Sequence, residues 1–311
     1  MNWRLKARIQ NAVALLPPAV SNAAYFQLQR HFGRMRRVSP VDRMTGAMEL
    51  CERMERTGAT LAGASFLEVG TGWRINVPLA LWLCGARSVT TVDLNRYLRE
   101  AVVRLDLRFI REQQPVIADL IGARLQRDRL ASLVDFSQRP WKLADLLQFC
   151  NIAYIAPGDA TRLPLDAGSI DHQMSYAVLE HVPRPVLQAM ATEAHRVLKA
   201  HGTSTHRIDL GDHFRLFDSS ISPLNFLQYS EKEWNAAAGN RFMFMNRLRV
   251  DDYVKIFEDA GFDVPVCDRY ENPRGLAALR DPSFRLHESF RGKSESDLAT
   301  TSVWMVARKR A

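Results

Sequence analysis

Along residues 1–60, basic and apolar positions alternate at helical spacing, with breaks at Pro17-Pro18, at Gly33 and around Ser39-Pro40. The pattern predicts a helical N-terminal extension that opens with an amphipathic helix from Trp3 to Leu16. The period then changes. Ser65 to Val69 and Ser88 to Asp93 are short apolar, β-branched runs, and a helical segment, Val77 to Cys84, lies between them. Strand, glycine-containing turn, helix and strand in that order open a parallel sheet, because parallel neighbours need a crossover connection. From Arg96 to Phe149 the chain is rich in Leu, Arg and Gln and has no strand-like run, which predicts two or three helices as an insertion over 96–150. Strand patterns resume at Ile152 to Ala156, Ile170 to Ala177 and Thr203 to Leu210, with a helix from Val186 to Leu198 before the last. The aromatic-rich stretch 214–249 is irregular and reads as a cap over a pocket. A helix from Val250 to Ala260 follows and stops at Gly261, a residue suited to the left-handed position after a helix. Val264 to Tyr270 and Ser302 to Lys309 are expected to pair as an antiparallel hairpin at the sheet edge. Residues 61–311 thus read as one α/β domain behind the extension.

Composition changes this picture little. With 311 residues and 47% hydrophobic content the chain can bury a large core, which argues against disorder. The formal charge of +8 suits an anionic partner as well as it suits a solvated basic surface. Cys51, Cys84, Cys150 and Cys267 lie far apart and form no CxxC pair, so neither a zinc site nor a disulfide framework is expected, and a reducing cytoplasm fits best. The N-terminal apolar stripe is interrupted by Asn11 and stopped by Pro17-Pro18, too short to span a bilayer. It could lie on a membrane surface, but packing as a lid on the domain is the commoner fate of such a stripe.

Chemistry enters with FLEVGTGW. A carboxylate, Glu68, precedes Gly70-Thr71-Gly72 where a buried strand turns into a helix. The third glycine of a dinucleotide fingerprint would fall at position 75, which is Ile75, so a nicotinamide cofactor loses weight. Glu68 suits instead a cofactor that carries an ammonium and a sulfonium. Asp93, at the tip of the second strand, can accept both hydroxyls of a ribose, a feature shared by nucleoside-binding folds.

Further motifs follow in order: Gly158-Asp159-Ala160-Thr161-Arg162-Leu163-Pro164, Ser169-Ile170-Asp171, Leu179-Glu180-His181-Val182 and Arg196-Val197-Leu198-Lys199-Ala200-His201-Gly202. In this series the chain resembles class I S-adenosylmethionine-dependent methyltransferases of the branch acting on small molecules and lipids, over about residues 64–210. The resemblance implies a Rossmann-like, seven-stranded, mostly parallel sheet with helices on both faces, and S-adenosylmethionine as cofactor. It also implies that Glu68, Gly70, Thr71 and Gly72 line the methionine moiety and that Asp93 meets the ribose, with Trp73 and Leu94 also among the cofactor-binding residues. Asp159 and Ala160 would meet the adenine, and Ser175 to Val178, Tyr176 included, would face the sulfonium. Asp159 could be only a turn residue, and Asp171 reads as structural. Arg74 stands where many relatives have a third glycine.

Methyl transfer from a sulfonium is an in-line displacement that depends chiefly on positioning. If the acceptor is a hydroxyl, a His or carboxylate should take its proton, and such groups gather after the fourth and fifth strands. His213 and His206 are the favoured bases, with Asp209 beside them, and His181 is expected to shape the cofactor pocket. Asp209, Asp212 and His213 could hold a divalent cation, but loop carboxylates more often cap or face solvent, so no metal is expected. No Asn-Pro-Pro-aromatic motif, catalytic cysteine or RNA-binding module points to nucleic acid. Segment 214–249 resembles the equivalent region of bacterial methyltransferases of cell-envelope polysaccharide or glycolipid pathways. Its aromatics would suit a sugar, or would simply pack the cap. The expected reaction is O-methylation of a small molecule, sugar or glycolipid, with N- or C-methylation, or a silent binding module, as alternatives.

Overall fold

The computed structural model describes residues 2–17, 39–240 and 242–310. Gly33 and Pro18, two of the expected helix breaks, lie outside them. Seven strands form one sheet: β1 (Ser65–Val69), β2 (Ser88–Val92), β3 (Ile152–Ile155), β4 (Ile170–Tyr176), β5 (Leu198–Asp209), β6 (Phe262–Glu271) and β7 (Thr300–Lys309). Their order is β3-β2-β1-β4-β5-β7-β6, with β1 to β5 parallel and β7 antiparallel to both neighbours. The mostly parallel, Rossmann-like sheet is therefore as expected. The last two strands pair antiparallel at one edge of the sheet as expected, with β7 between β5 and β6; short helices, not a tight turn, fill the connection between them.

Helices cover both faces. α1 (Trp3–Ala14) stands apart, whereas α2 (Pro40–Glu55) begins at the expected Ser39-Pro40 break, where Ser39 caps the first turn. α2 buries Met44, Ala47, Leu50, Cys51 and Met54 against α3 (Asn76–Leu83) and the sheet. It is part of the domain core, which moves the boundary expected near residue 60 to before α2. The insertion holds four helices, not two or three: α4 (Glu100–Glu112), α5 (Gln114–Ile121), α6 (Arg127–Ser137) and α7 (Leu143–Phe149). Pro115 starts α5 immediately after α4, and Gly122, at φ 62°, ends it. Val103, Leu107 and Ile110 fall on one face of α4 and close this side of the core. On the opposite face α8 (Arg184–Val197) and α10 (Val250–Asp259) pack Leu187, Ala191, Ala194, Val250, Tyr253 and Phe257 over β1, β4, β5 and β7.

The segment 214–249 contains α9 (Glu231–Ala238) and folds on a cluster of its own. Phe214, Phe226, Trp234 and Met245 pack there with Trp3 and Ala7 of α1, and Trp3 N donates to Asp218 Oδ2 at 2.9 Å. The expected N-terminal lid thus closes over the cap, not over the sheet. Arg249 clips this unit to the domain: fully buried, its guanidinium donates to the carbonyls of Leu210, Asp297, Leu298 and Thr300.

Candidate functional site

The carboxyl ends of β1, β2, β3 and β4 open onto one cleft of about 710 Å³, within the range that holds a nucleoside-sized ligand and an acceptor. β1 delivers Glu68 to its floor, and the register sets Thr91 of β2 directly beside it. Thr91 Oγ1 donates to Glu68 Oε2 at 2.5 Å and is itself 2.5 Å from Thr71 Oγ1, so two hydroxyls chain toward one carboxylate. Burial pushes the Glu68 carboxyl up to about 7, against the pull of Thr91 and Arg43. An incoming cation would find a carboxylate already desolvated. The turn after it needs its glycine: Gly70 sits at φ 94°, and a Cβ there would lie 2.4 Å from Val178 Cγ2.

Asp93 has two duties. Oδ2 accepts from Gly72 N at 2.8 Å and Oδ1 from Asn95 N at 2.9 Å, so the carboxylate that faces the cleft also ties the glycine turn to the end of β2. Burial raises its pKa despite these two donors. Leu94, Asp159, Ala160, Trp73 and Tyr176 line the cleft as well. Asp159 Oδ1 accepts from the backbone N–H and hydroxyl of Thr161, so its turn-forming role and its place on the wall coexist. Asp171 is structural as read, accepting from Ser65 N and Lys199 Nζ. Arg74 fills the place of a third glycine by pairing with buried Asp106, which fastens the glycine turn to α4.

Other sequence-chosen residues stand elsewhere. Ser175 does not line the cleft: it is buried, and its Oγ lies 2.8 Å from His206 Nδ1. His206 is corrected with it. Its ring is 0% exposed, held between Ser175 and Ser204 and against Phe257, and burial alone pushes its pKa down to about 3, so no acceptor can reach it. Strand alternation explains why, since β5 continues through Asp209 and the two side chains leave opposite faces. Asp209 and His213 lie behind the cleft wall, not in it. Nor do Asp209, Asp212 and His213 converge: Asp212 is turned inward, accepting from Phe214 N and Asn225 Nδ2. None of the described residues of 214–249 lines the cleft, and Phe214, Phe226, Tyr229 and Trp234 of this segment pack in a cluster of their own.

His181 does line the cleft, and around it a cluster assembles. Glu180 is buried beside it, and His213 stands with its ring edge-on to His181, centroids 5.1 Å apart. Asp209 Oδ2 lies 3.6 Å from His213 Nε2. Burial would raise the Asp209 pKa, but His213, Arg215 and Arg207 together hold it below the usual carboxylate range. For Glu180, burial outweighs the pull of His213 and Arg207 and pushes the carboxyl up to about 7. His181 opens onto the cleft, yet the crowded walls strip enough water from it, with His213 adding repulsion, to lower its pKa.

Two cleft residues carried no sequence signal. Arg43 of α2 reaches over the Tyr176 ring, 5.1 Å from its centroid, and donates to the Tyr176 carbonyl at 3.0 Å. Gly46 permits this approach, because a Cβ there would lie 2.1 Å from Tyr176 Cε2. Tyr97 sits against Trp73, ring centroids 4.7 Å apart. Arg43 and Glu68 set a cation and a carboxylate in the same cleft, an arrangement able to hold an amino acid's carboxylate and ammonium together.

Residues 123–205 match the model of a family described as a methyltransferase domain, a match that begins downstream of the glycine turn and ends inside β5. The match agrees with the sheet order and with a cleft at the carboxyl ends of β1 to β4, the arrangement of the class I methyltransferase fold. The protein is an enzyme of the S-adenosylmethionine-dependent kind, and S-adenosylmethionine is its cofactor. Among solved structures it is similar to an S-adenosylmethionine-dependent methyltransferase from Methanosarcina mazei, at 15% identity over 83% of this chain and 97% of that one, TM-score 0.44. It is also similar to geranyl diphosphate C-methyltransferase from Streptomyces coelicolor, at 14% identity over 85% and 76%, TM-score 0.46. No curated protein matches the chain.

Proposed function

We propose that the enzyme transfers the methyl group of S-adenosylmethionine to a hydroxyl of a small acceptor, a sugar or a glycolipid. The cofactor's ammonium meets Glu68, its carboxylate Arg43, and its ribose Asp93, with Asp159 and Ala160 at the adenine. That arrangement turns the sulfonium toward Tyr176 and the turn after β4. The observation that carries the oxygen reading is His181 on the cleft wall with Glu180 and His213 clustered behind it. An amine acceptor, once neutral, needs no such group, whereas a hydroxyl must lose its proton as the O–C bond forms. His181 and His213, with Asp209 behind His213, carry this activation.

Incubation with S-adenosylmethionine and a panel of sugar, glycolipid and amine acceptors tests the reading by mass spectrometry. A methyl ether is the expected product, and His213→Ala should lower turnover by roughly 10²-fold. Methylation confined to amines, or a fully active His213→Ala, would defeat it.

A membrane-borne acceptor is favoured by α1. Trp3 and Ala7 seat the helix on the cap, while Leu5, Ile9, Leu15 and Leu16 remain exposed beside exposed Arg4 and Arg8. Among the described residues no helix is long and apolar enough to cross a membrane, so the contact we propose is peripheral. Co-sedimentation with anionic vesicles, weakened in Leu5→Ser/Ile9→Ser, is the expected outcome, and equal sedimentation of that variant would refute it.

A further inference from the structure

We propose that Glu180, His181 and His213 form a binding site for a divalent transition cation of the Zn²⁺ type at the acceptor end of the cleft. The inference rests on the oxygen-methylating reading for its role, but not for its existence. Glu180 and His181 belong to a single helical turn, Leu179–His181, after β4, and His213 opens another, His213–Leu216, after β5. Because β4 and β5 are parallel neighbours, both turns emerge at the same end of the sheet. One ligand atom from each of the three side chains lies within 4.8 Å of the others, close enough to share an ion.

The second observation is an oxygen without a partner. Glu180 is 1% exposed, its Oε1 accepts from Asp209 N at 3.3 Å, and its Oε2 is buried with no hydrogen-bond donor. Buried carboxylate oxygens are nearly always satisfied, and an orphan one asks for a cation. The two imidazoles are arranged as ligands are. His181 Nδ1 lies 2.8 Å from the Phe244 carbonyl, which can only accept, so Nδ1 carries the proton and Nε2 keeps its lone pair. His213 has the Asp209 carboxylate behind it, and Asp209 is neutralised in turn by Arg215 at 3.3 Å and Arg207 at 3.8 Å. A carboxylate or carbonyl behind each ligating imidazole is what fixes tautomer and orientation at metal centres. Two nitrogens and one oxygen suit Zn²⁺, Co²⁺ or Fe²⁺ and leave open positions, whereas Mg²⁺ prefers oxygen alone.

His181 lines the cleft, so an ion held here would present its open position to an acceptor beside the sulfonium. The acceptor O–H, its pKa lowered by the ion, gives its proton to water. An oxygen lone pair then forms the O–CH₃ bond as the S–CH₃ bond breaks. The electron pair of that bond stays on sulfur, which leaves as a neutral thioether.

The test uses the full chain after dialysis against a chelator, with no acceptor present. Titration with Zn²⁺ by calorimetry should show one saturable site per chain, and Co²⁺ should give visible ligand-field bands. Glu180→Gln and His213→Ala should each weaken Zn²⁺ binding by roughly tenfold or more, while His287→Ala, which removes a ring that meets Ser289, leaves it unchanged. Thermal melts of each variant identify any that fail to fold. No saturable binding, or equal binding in Glu180→Gln and His213→Ala, overturns the site, as does loss in His287→Ala. Loss of S-adenosylmethionine binding from the stripped wild type with Zn²⁺ still bound would strike the cofactor assignment instead. Zn²⁺ bound while only amines are methylated would keep the site and remove the oxygen reading.

Discussion

Lowering the pH from 7 to 5.5 should weaken cofactor binding chiefly through Glu68. In the empty cleft this carboxyl titrates at about 7, because burial outweighs the help of Thr91 and Arg43. Pairing with the cofactor's ammonium requires the ionised form, so binding competes with protonation. A group of that pKa is half ionised at pH 7 and about one thirtieth ionised at pH 5.5, which predicts a roughly 16-fold rise in Kd, or about 1.6 kcal/mol. The sign follows from the raised pKa: affinity is present above it and is lost as the pH falls through it. Over this range the α-ammonium keeps its charge, which isolates the protein group. Calorimetry at several pH values, repeated in buffers of different ionisation enthalpy, should also detect release of a proton on binding near the lower limit. Glu68→Gln should bind more weakly at pH 7 and show a nearly flat profile. The same 16-fold slope in Glu68→Gln, or a flat profile in the wild type, would refute the assignment of the ammonium to Glu68.

Three further outcomes follow from the same geometry. Asp93→Ala should raise the cofactor Kd tenfold or more, about 1.4 kcal/mol or above, because it removes the ribose acceptor and frees Gly72 N; an unchanged Kd would take Asp93 out of the site. Gly70→Ala places a Cβ against Val178 at a left-handed φ, costing about 1–2 kcal/mol from the backbone alone, and should lower both Tm and cofactor affinity; a wild-type melt would contradict the turn described. Arg249→Met leaves the carbonyls of Leu210, Asp297, Leu298 and Thr300 without their buried donor and should destabilise by about 3 kcal/mol in urea unfolding, and a loss below about 1 kcal/mol would show the clip to be dispensable.

Much of this was legible in the chain because local pattern and global fold agree. Ser65–Val69 and Ser88–Val92 are buried strands whose β-branched residues follow period, and the glycines after β1 stand where the backbone needs a left-handed turn. What the sequence hid depends on contacts between distant segments. Arg43 precedes the glycine turn by a helix, and only the seating of Gly46 on Tyr176 brings it into the cleft. His206 looked chemical because it is a histidine near the end of a strand, but strand parity puts it among Ser175, Ser204 and Phe257. Phe214 and Trp234 looked like a substrate wall for the same reason: composition cannot say which side of a cap faces inward, and here α1 claims it.

The distribution of charge carries one more step. The chain has a formal charge of +8, yet the ends of β1 and β2 place Glu68 and Asp93 in the cleft and the turn after β4 buries Glu180 beside cleft-lining His181, each carboxyl with its pKa raised by burial. Asp209, close by, is already served by two arginines and a histidine. A carboxylate left partly protonated at neutral pH is a standing preference for a cation, since each cation that arrives relieves a desolvation cost already met in folding. In the reading proposed above, the ammonium of the cofactor meets Glu68. Glu180 belongs to the turn that follows β4, and the groups around it are imidazoles that can coordinate but need not be charged. Part of the basic surplus is carried by α1, with Arg4 and Arg8 exposed, and in the reading proposed above the cation-seeking end of the cleft is the one that faces the acceptor.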